Sequence, residues 1–251
     1  MRAFGVTDIG LVRKKNEDAF YYQEIYEKDK PFFCIIADGM GGHKAGDIAS
    51  KMAISLMLDY FEKNIKLHNC DINDYAFLLK DAFIYVNKSV YLSSLEKEEH
   101  QGMGTTLIVS LFIEDSIIIG HVGDSRVYFI KDKNITKVTT DHSYVAELIK
   151  NGTIKPEEAC KHPQKNVITR AIGTCNDIDV DISIFNLYNE DYIVMCTDGL
   201  SNMLSEIEIR ETVTEKVSLK EKCTKLITLA NDNGGLDNIT AIIIEVDREG
   251  N

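Results

Sequence analysis

No run of about eighteen apolar residues occurs in this chain, which excludes a membrane-crossing helix. The opening residues, Met1 to Asp8, lack the apolar core of a secretory signal, so a cytoplasmic protein is expected. Pro-rich, Ser-rich and repetitive stretches are also missing, and the three prolines are Pro31, Pro156 and Pro163. With no linker composition and no internal period, the 251 residues are expected to form a single domain over 1–251. Basic residues are few: Lys and Arg number 28 against 40 Asp and Glu, a formal charge of −12. That balance argues against nucleic acid or an anionic membrane as partner.

Several kinds of chemistry are excluded in the same way. The six cysteines, Cys34, Cys70, Cys160, Cys175, Cys196 and Cys223, include no C-x-x-C, which argues against a disulfide framework or a zinc ribbon. None has an arginine six residues on, so a cysteine nucleophile acting on phosphate is excluded. No G-x-x-x-x-G-K-[ST] loop exists, so Gly41 and Gly42 are not part of a nucleotide loop. The six histidines show no paired spacing of the kind a zinc hydrolase uses.

What is present is a repeated design. Phe32 to Ala37 runs into Asp38-Gly39, Ile117 to Val122 into Gly123-Asp124, and Tyr192 to Thr197 into Asp198-Gly199. Each is a short β-branched or aromatic run closed by glycine, the pattern of a buried strand stopping at a turn. A lone Asp in such a turn is usually there for backbone reasons. Three of them at strand ends can converge on one site. Between and around them, Thr105 to Ile113, Ile117 to Val122, Arg126 to Lys131 and Ile135 to Thr139 read as an antiparallel meander, and Ile239 to Val246 as a last strand. Asp177, Asp179 and Asp181 alternate with Ile178, Val180 and Ile182, a strand period, and an Ile stands where a calcium loop requires Gly.

Helical stripes appear at Ile48, Met52, Ala53, Leu56, Met57 and Tyr60, and at Leu78, Leu79, Ala82, Phe83, Val86 and Val90. A second pair is predicted where Ser205 and Ser218 stand three residues before Glu208 and Glu221, the spacing of a capping box. The fold expected is α+β: a two-sheet antiparallel β-sandwich flanked by helix pairs on both outer faces. The segment from Asp141 to Gly173 breaks the rhythm and reads as a flap insertion over one end of the sheets.

Asp38-Gly39-Met40-Gly41-Gly42 joins a carboxylate at a strand end to small residues that let backbone carbonyls approach a cation. Gly234-Gly235-Leu236-Asp237-Asn238 repeats the idea before the last strand. Oxygen donors of this kind select Mg²⁺ or Mn²⁺. Asp38, Asp198 and Asp237 can share a pair of ions, and such a pair activates water and steadies charge on a phosphoryl group. In Arg13-Lys14-Lys15-Asn16-Glu17-Asp18, Arg13 offers a planar fork for phosphate and Asp18 a further metal or water ligand, although a charged turn alone would look the same.

These motifs, with Gly102-Met103-Gly104-Thr105-Thr106, Gly123-Asp124-Ser125-Arg126, Asp141-His142-Ser143, Thr197-Asp198-Gly199-Leu200 and Asp237-Asn238-Ile239-Thr240, resemble the bacterial type 2C metal-dependent protein phosphatases nearly from end to end. The resemblance implies a serine/threonine protein phosphatase with two tightly bound Mn²⁺ or Mg²⁺ ions. Asp38 would bridge them, the Gly39 carbonyl would bind one, and Asp198 and Asp237 the other. Asp124, with Asp18 nearby, would take a third, weaker ion, and Arg13 would hold the substrate phosphate. Met40 stands where eukaryotic members carry a histidine that protonates the leaving oxygen; His43 or metal-bound water is the replacement expected. The partners implied are phosphorylated proteins, including a serine/threonine kinase and its substrates, and the chain is expected to be a monomer. Two alternatives are a phosphatase dedicated to an anti-sigma antagonist and a pseudophosphatase that binds phosphoproteins without turnover. The second would have lost metal aspartates, and none is lost here.

Overall fold

A computed structural model describes residues 1–25, 31–41, 45–65, 71–96, 98–159, 162–187 and 192–246. The β-branched and aromatic runs become strands because such side chains fit a pleated, buried surface. The chain begins with β1 (Arg2–Asp8), β2 (Asp18–Tyr22) and β3 (Phe32–Met40). Two helices follow, α1 (Gly46–Asn64) and α2 (Ile72–Glu96). Next come β4 (Gly104–Thr105), β5 (Leu107–Ile113), β6 (Ser116–Val122), β7 (Arg126–Lys131) and β8 (Asn134–Lys137). An excursion carries α3 (Tyr144–Lys150) and α4 (Pro156–Ala159). The remainder is β9 (Asp181–Asn186), β10 (Tyr192–Cys196), α5 (Asp198–Ser201), α6 (Glu206–Val213), α7 (Leu219–Asp232) and β11 (Ile239–Glu245).

The strands form two antiparallel sheets, β1-β11-β10-β7-β8 and β2-β3-β5-β6-β9, with β4 beside β3. The period of two then sorts side chains between layers. On β3, Phe32, Cys34 and Ile36 enter the core between the sheets with Ile108, Phe112, Met195 and Ile242. Phe33, Ile35 and Ala37 turn the other way, against Met57 and Phe61 of α1 and Leu79 and Phe83 of α2. Tyr128, Val194 and Ile243 of the first sheet likewise meet Leu200, Ile209, Leu226 and Ala230 of α5, α6 and α7. The result is the expected α-β-β-α sandwich, in which each fully buried Ile, Leu or Phe contributes about 1.5–3 kcal/mol. No helix among the described residues is long and apolar enough to cross a membrane.

Both predicted capping boxes form. The Ser205 and Ser218 hydroxyls accept the N–H groups of Glu208 and Glu221 at 3.3 Å, and each Glu carboxylate accepts the serine N–H in return, at 2.8 and 2.9 Å. Two expectations are corrected. The sequence predicts one meander from β5 to β8, but β5-β6 lies in one sheet and β7-β8 in the other. The crossing is made at Gly123, whose φ of 117° no residue with a Cβ adopts easily, and which sits against Thr106. The alternation from Asp177 also starts too early, since β9 begins only at Asp181, where pairing with His121 of β6 becomes available.

Candidate metal centre

Strand register, rather than sequence proximity, assembles the acidic site. Asp18 at the start of β2 pairs with Asp38 on β3, which continues through Asp38 to Met40 instead of stopping before it. Asp198 follows β10 as the first residue of the short helix α5, and Asp237 lies two residues before β11, the neighbour of β10. Asp124 stands in the crossover between β6 and β7. Four of the five carboxyls are driven toward the protonated form. Burial raises Asp38 well above the usual carboxylate range, followed by the fields of Asp18, Asp198, Asp124 and Asp237. Asp18 and Asp124 are each pushed up to about 7, by burial and then by Asp198 among the neighbouring charges. Asp198 rises to about 6, from burial and then Asp237.

The surrounding hydroxyls and amides hold these carboxylates without neutralising them. Asp18 Oδ2 accepts hydrogen bonds from Thr240 Oγ1 at 2.6 Å and Thr197 Oγ1 at 2.9 Å, while its buried Oδ1 has no partner. The Asp38 backbone is clamped by Thr105 and Thr106: its N–H donates to Thr106 Oγ1 at 2.9 Å, and its carbonyl accepts from Thr106 N–H at 2.8 Å and Thr105 Oγ1 at 2.9 Å. Asn202 donates to Asp198 Oδ2 at 3.1 Å. Asn238 stitches the Arg13 loop to β11, accepting from Glu17 N–H at 2.8 Å and donating to the carbonyls of Ile9 and Lys15, both at 2.9 Å. Gly39 is tightly enclosed, because a Cβ there would come 2.1 Å from the Gly46 carbonyl oxygen.

Of the residues anticipated from sequence, Asp18, Asp38, Gly39, Asp124, Asp198, Asp237 and Arg13 therefore come together. Arg13 Nη2 lies 2.6 Å from Asp237 Oδ2, so in this state the guanidinium is paired with a predicted metal ligand. His43, the candidate acid, and Gly42 lie outside the described residues. Sequence reasoning did not assign Thr197, Thr240, Asn202 or Asn238. The available signal is that Thr197, Asn238 and Thr240 lie within the motifs of Asp198 and Asp237, and Asn202 one helical turn after Asp198. Asp124 does not pair with Arg126, whose guanidinium instead grips Asp141, with Nη2 at 2.7 Å from Oδ2 and Nε at 3.1 Å. The buried Oδ1 of Asp124 has no partner.

The flap is rooted beside Asp124. His142 N–H donates to the Gly123 carbonyl at 2.8 Å, and Gly123 N–H donates to His142 Nδ1 at 3.0 Å. Its Nε2 faces Asp181 Oδ2 at 3.1 Å, and Arg170 Nη1 holds Asp181 Oδ1 at 2.8 Å. His121 stacks on His142 with ring centroids 4.6 Å apart. The ligand atoms of His121, His142 and Asp181 all lie within 4.8 Å of one another, a spacing that can hold a metal ion. The hydrogen bonds speak against one. At His142, Nδ1 already accepts from the backbone, and Nε2 lies 3.1 Å from both Asp181 Oδ2 and Arg170 Nη1, a cation that already supplies positive charge there.

The aspartate cluster is different, because its donors fit a cation and the described residues supply too little positive charge for it. Two buried carboxylate oxygens have no partner, four carboxyls are pushed upward, and every donor is an oxygen. Residues 13–236 match the family protein phosphatase 2C. The serine/threonine phosphatase Stp of Listeria monocytogenes is 39% identical over 96% of this chain and 94% of its own. Among solved structures, the Staphylococcus aureus serine/threonine phosphatase Stp1 superposes with a TM-score of 0.91 at 35% identity, over 98% of this chain and 95% of that one. The catalytic domain of the phosphatase PstP, solved with 2 manganese ions, gives 0.83 at 30% identity over 97% of each chain.

Proposed function

The chain belongs to the protein phosphatase 2C family, and on that premise we propose that it hydrolyses phosphoserine and phosphothreonine on proteins using Mn²⁺ or Mg²⁺ held by the aspartate cluster. The observation that carries this reading is the convergence of Asp18, Asp38, Asp124, Asp198 and Asp237, in which Oδ1 of Asp18 and of Asp124 is buried without a partner and the proton affinities of Asp18, Asp38, Asp124 and Asp198 are raised. Asp38 would be shared by two ions, the Gly39 carbonyl would serve one, and Asp198 and Asp237 the other. Asp124 and Asp18 would hold a third, weaker ion. When bound, divalent ions supply Lewis acidity, which makes water nucleophilic near neutral pH and offsets charge on the phosphoryl oxygens.

The chain's own groups do the positioning. Thr105 and Thr106 fix the Asp38 backbone, and Thr197 and Thr240 aim Asp18 so that its free oxygen faces away from them. Arg13 would turn its fork from Asp237 to the substrate phosphate, adding charge-assisted bonds where negative charge is delivered. A cytoplasmic role opposing a serine/threonine kinase follows as part of the same proposal. A pseudophosphatase is not favoured, because the sequence retains each aspartate proposed to bind metal. Among the described cysteines, Cys34, Cys196 and Cys223 are too buried to serve as nucleophiles, and burial pushes the Cys196 and Cys223 thiols up to about 12.

Hydrolysis of a phosphothreonine peptide, measured with Mn²⁺, after chelation, and after thiol alkylation, tests the proposal. Turnover should need the ion and survive alkylation. Turnover that persists in chelator would sink it.

A further inference from the structure

Side chains that interrupt an otherwise polar surface beside a catalytic site are candidates for contact with whatever the site receives. Three of the exposed large apolar residues gather next to the Arg13–Asp237 pair: Leu11 is 69% exposed, Val12 61% and Leu236 55%. Two stretches far apart in sequence bring them together. Leu11 N–H donates to the Gly235 carbonyl at 2.8 Å, and Arg13 reaches Asp237, so the segments 11–13 and 235–237 run side by side. A Cβ on Gly235 would come within 2.9 Å of Leu11 Cγ, so this leucine lies over the glycine loop. The glycines at 10 and 235 hold positive φ of 77° and 50°, and the Asn238 side chain ties the carbonyls of Ile9 and Lys15 to the base of β11. The apolar side chains are therefore carried on a braced rim. Burial within the protein does not account for Leu11 and Val12, which immediately precede the guanidinium assigned to phosphate.

Resting on the phosphatase reading of the aspartate site, we propose that Leu11, Val12 and Leu236 form a docking rim for apolar side chains next to the phosphorylated residue of the substrate. What covers the rim follows from chain dimensions. A phosphoresidue whose phosphate meets Arg13 has neighbours spaced about 3.3–3.6 Å apart along an extended peptide. The flanking residues must therefore cross the surface within one or two positions of Arg13, where the rim stands. With a formal charge of −12, the protein gains nothing general from acidic flanks, and what the rim itself offers a flanking side chain is the apolar contact of Leu11, Val12 and Leu236. The preferred substrates are phosphoserine and phosphothreonine segments with Leu, Ile, Val or Phe at an adjacent position.

The test compares the full-length protein with Leu11→Ser/Val12→Ser and with Leu236→Ser, all saturated with Mn²⁺. Three substrates are used: a phosphothreonine peptide with apolar flanks, the same peptide with Ser and Gly flanks, and p-nitrophenyl phosphate. The native protein should prefer the apolar-flanked peptide. Each variant should lose about tenfold in kcat/KM on it, the scale of one missing apolar contact, through KM. Turnover of the other two substrates should not change. No flank preference in the native protein, or equal losses on all three substrates, would overturn the rim while leaving the phosphatase reading intact. Sedimentation showing a dimer of the native protein that both variants abolish would assign the patch to a second copy and overturn it as well. Absence of p-nitrophenyl phosphate turnover by the native protein with Mn²⁺ would instead remove the phosphatase reading, and the rim with it.

Discussion

Asp18 and Asp141 are both carboxylates withdrawn from water, yet their proton affinities move in opposite directions. Burial pushes Asp141 up, but Arg126 and then Lys137 outweigh it, and the net shift is downward. Asp181, with His142 and Arg170, follows the same pattern. Asp18 has only hydroxyls for partners and rises to about 7. At the flap root the chain supplies its own cations. In the aspartate cluster it leaves that charge to be supplied from outside. Removing a carboxylate should therefore have opposite consequences in the two places: lost activity with an intact fold in the cluster, and lost stability at the flap root.

The largest effect is expected for Asp38→Asn, Asp198→Asn and Asp237→Asn. Each should lower kcat by about three orders of magnitude, or ~4 kcal/mol of barrier. The metal-free variants should melt no lower than the native protein, because each substitution relieves repulsion among like charges. Calorimetry without metal and turnover with Mn²⁺ read the two sides separately. A variant that kept near-native turnover would cancel the metal role of its residue.

At the flap root, Asp141→Asn should instead cost about 3 kcal/mol of folding stability, because it strands the largely buried Arg126. Urea unfolding measures this, and a loss no larger than that of an exposed pair, under about 1 kcal/mol, would erase the contrast.

The two regions meet at Asp124. Asp124→Ala should leave two tight ions and the fold intact, weaken one low-affinity Mn²⁺ event, and lower kcat by about thirtyfold, or ~2 kcal/mol. Since His142 grips Gly123 from two sides and Asp181 orients His142, Asp181→Ala should lower kcat in the same direction without raising KM. In an Asp124→Ala background it should add nothing, because both substitutions act through one group. Additive losses would mean that Asp181 affects turnover by a route that does not pass through Asp124, and unchanged turnover with unchanged Mn²⁺ stoichiometry would leave Asp124 as a turn residue.

The sequence made the aspartates visible because an apolar run closed by Asp-Gly is a local pattern, and the four-layer fold because periods of 2 and 3.6 are local as well. What stayed hidden depends on pairing between distant segments. That Thr197 and Thr240 both serve Asp18 requires β10, β11 and β2 to meet across separations of 179 and 222 residues. The exchange of sheets between β6 and β7 was hidden for the same reason, since two hairpins in one sheet and two in different sheets share the same alternation. In the sequence Asp141 reads as the start of a flap; that it neutralises Arg126, leaving Asp124 Oδ1 without a partner, is legible only in the folded chain.

The smallest effect concerns Arg13, the side chain that stands between the two behaviours. Its guanidinium supplies Asp237 with the kind of partner the rest of the cluster lacks, at 2.6 Å on a half-exposed surface. An exposed pair of this sort is worth only about 0–1 kcal/mol, so Asp237 can exchange it for an ion, and Arg13 is then free to meet phosphate. Arg13→Ala thus removes a competitor of the metal as well as a ligand of the substrate, and the two losses have opposite signs. KM for a phosphothreonine peptide should rise about tenfold, or ~1.4 kcal/mol, with kcat less affected. The affinity for Mn²⁺ in the absence of substrate should stay equal or increase slightly. Arg13→Lys should restore part of the KM, because it returns the charge without the planar fork. Weaker Mn²⁺ binding in Arg13→Ala would show that the guanidinium holds Asp237 in place for the metal, and would move Arg13 from the substrate to the scaffold of the site.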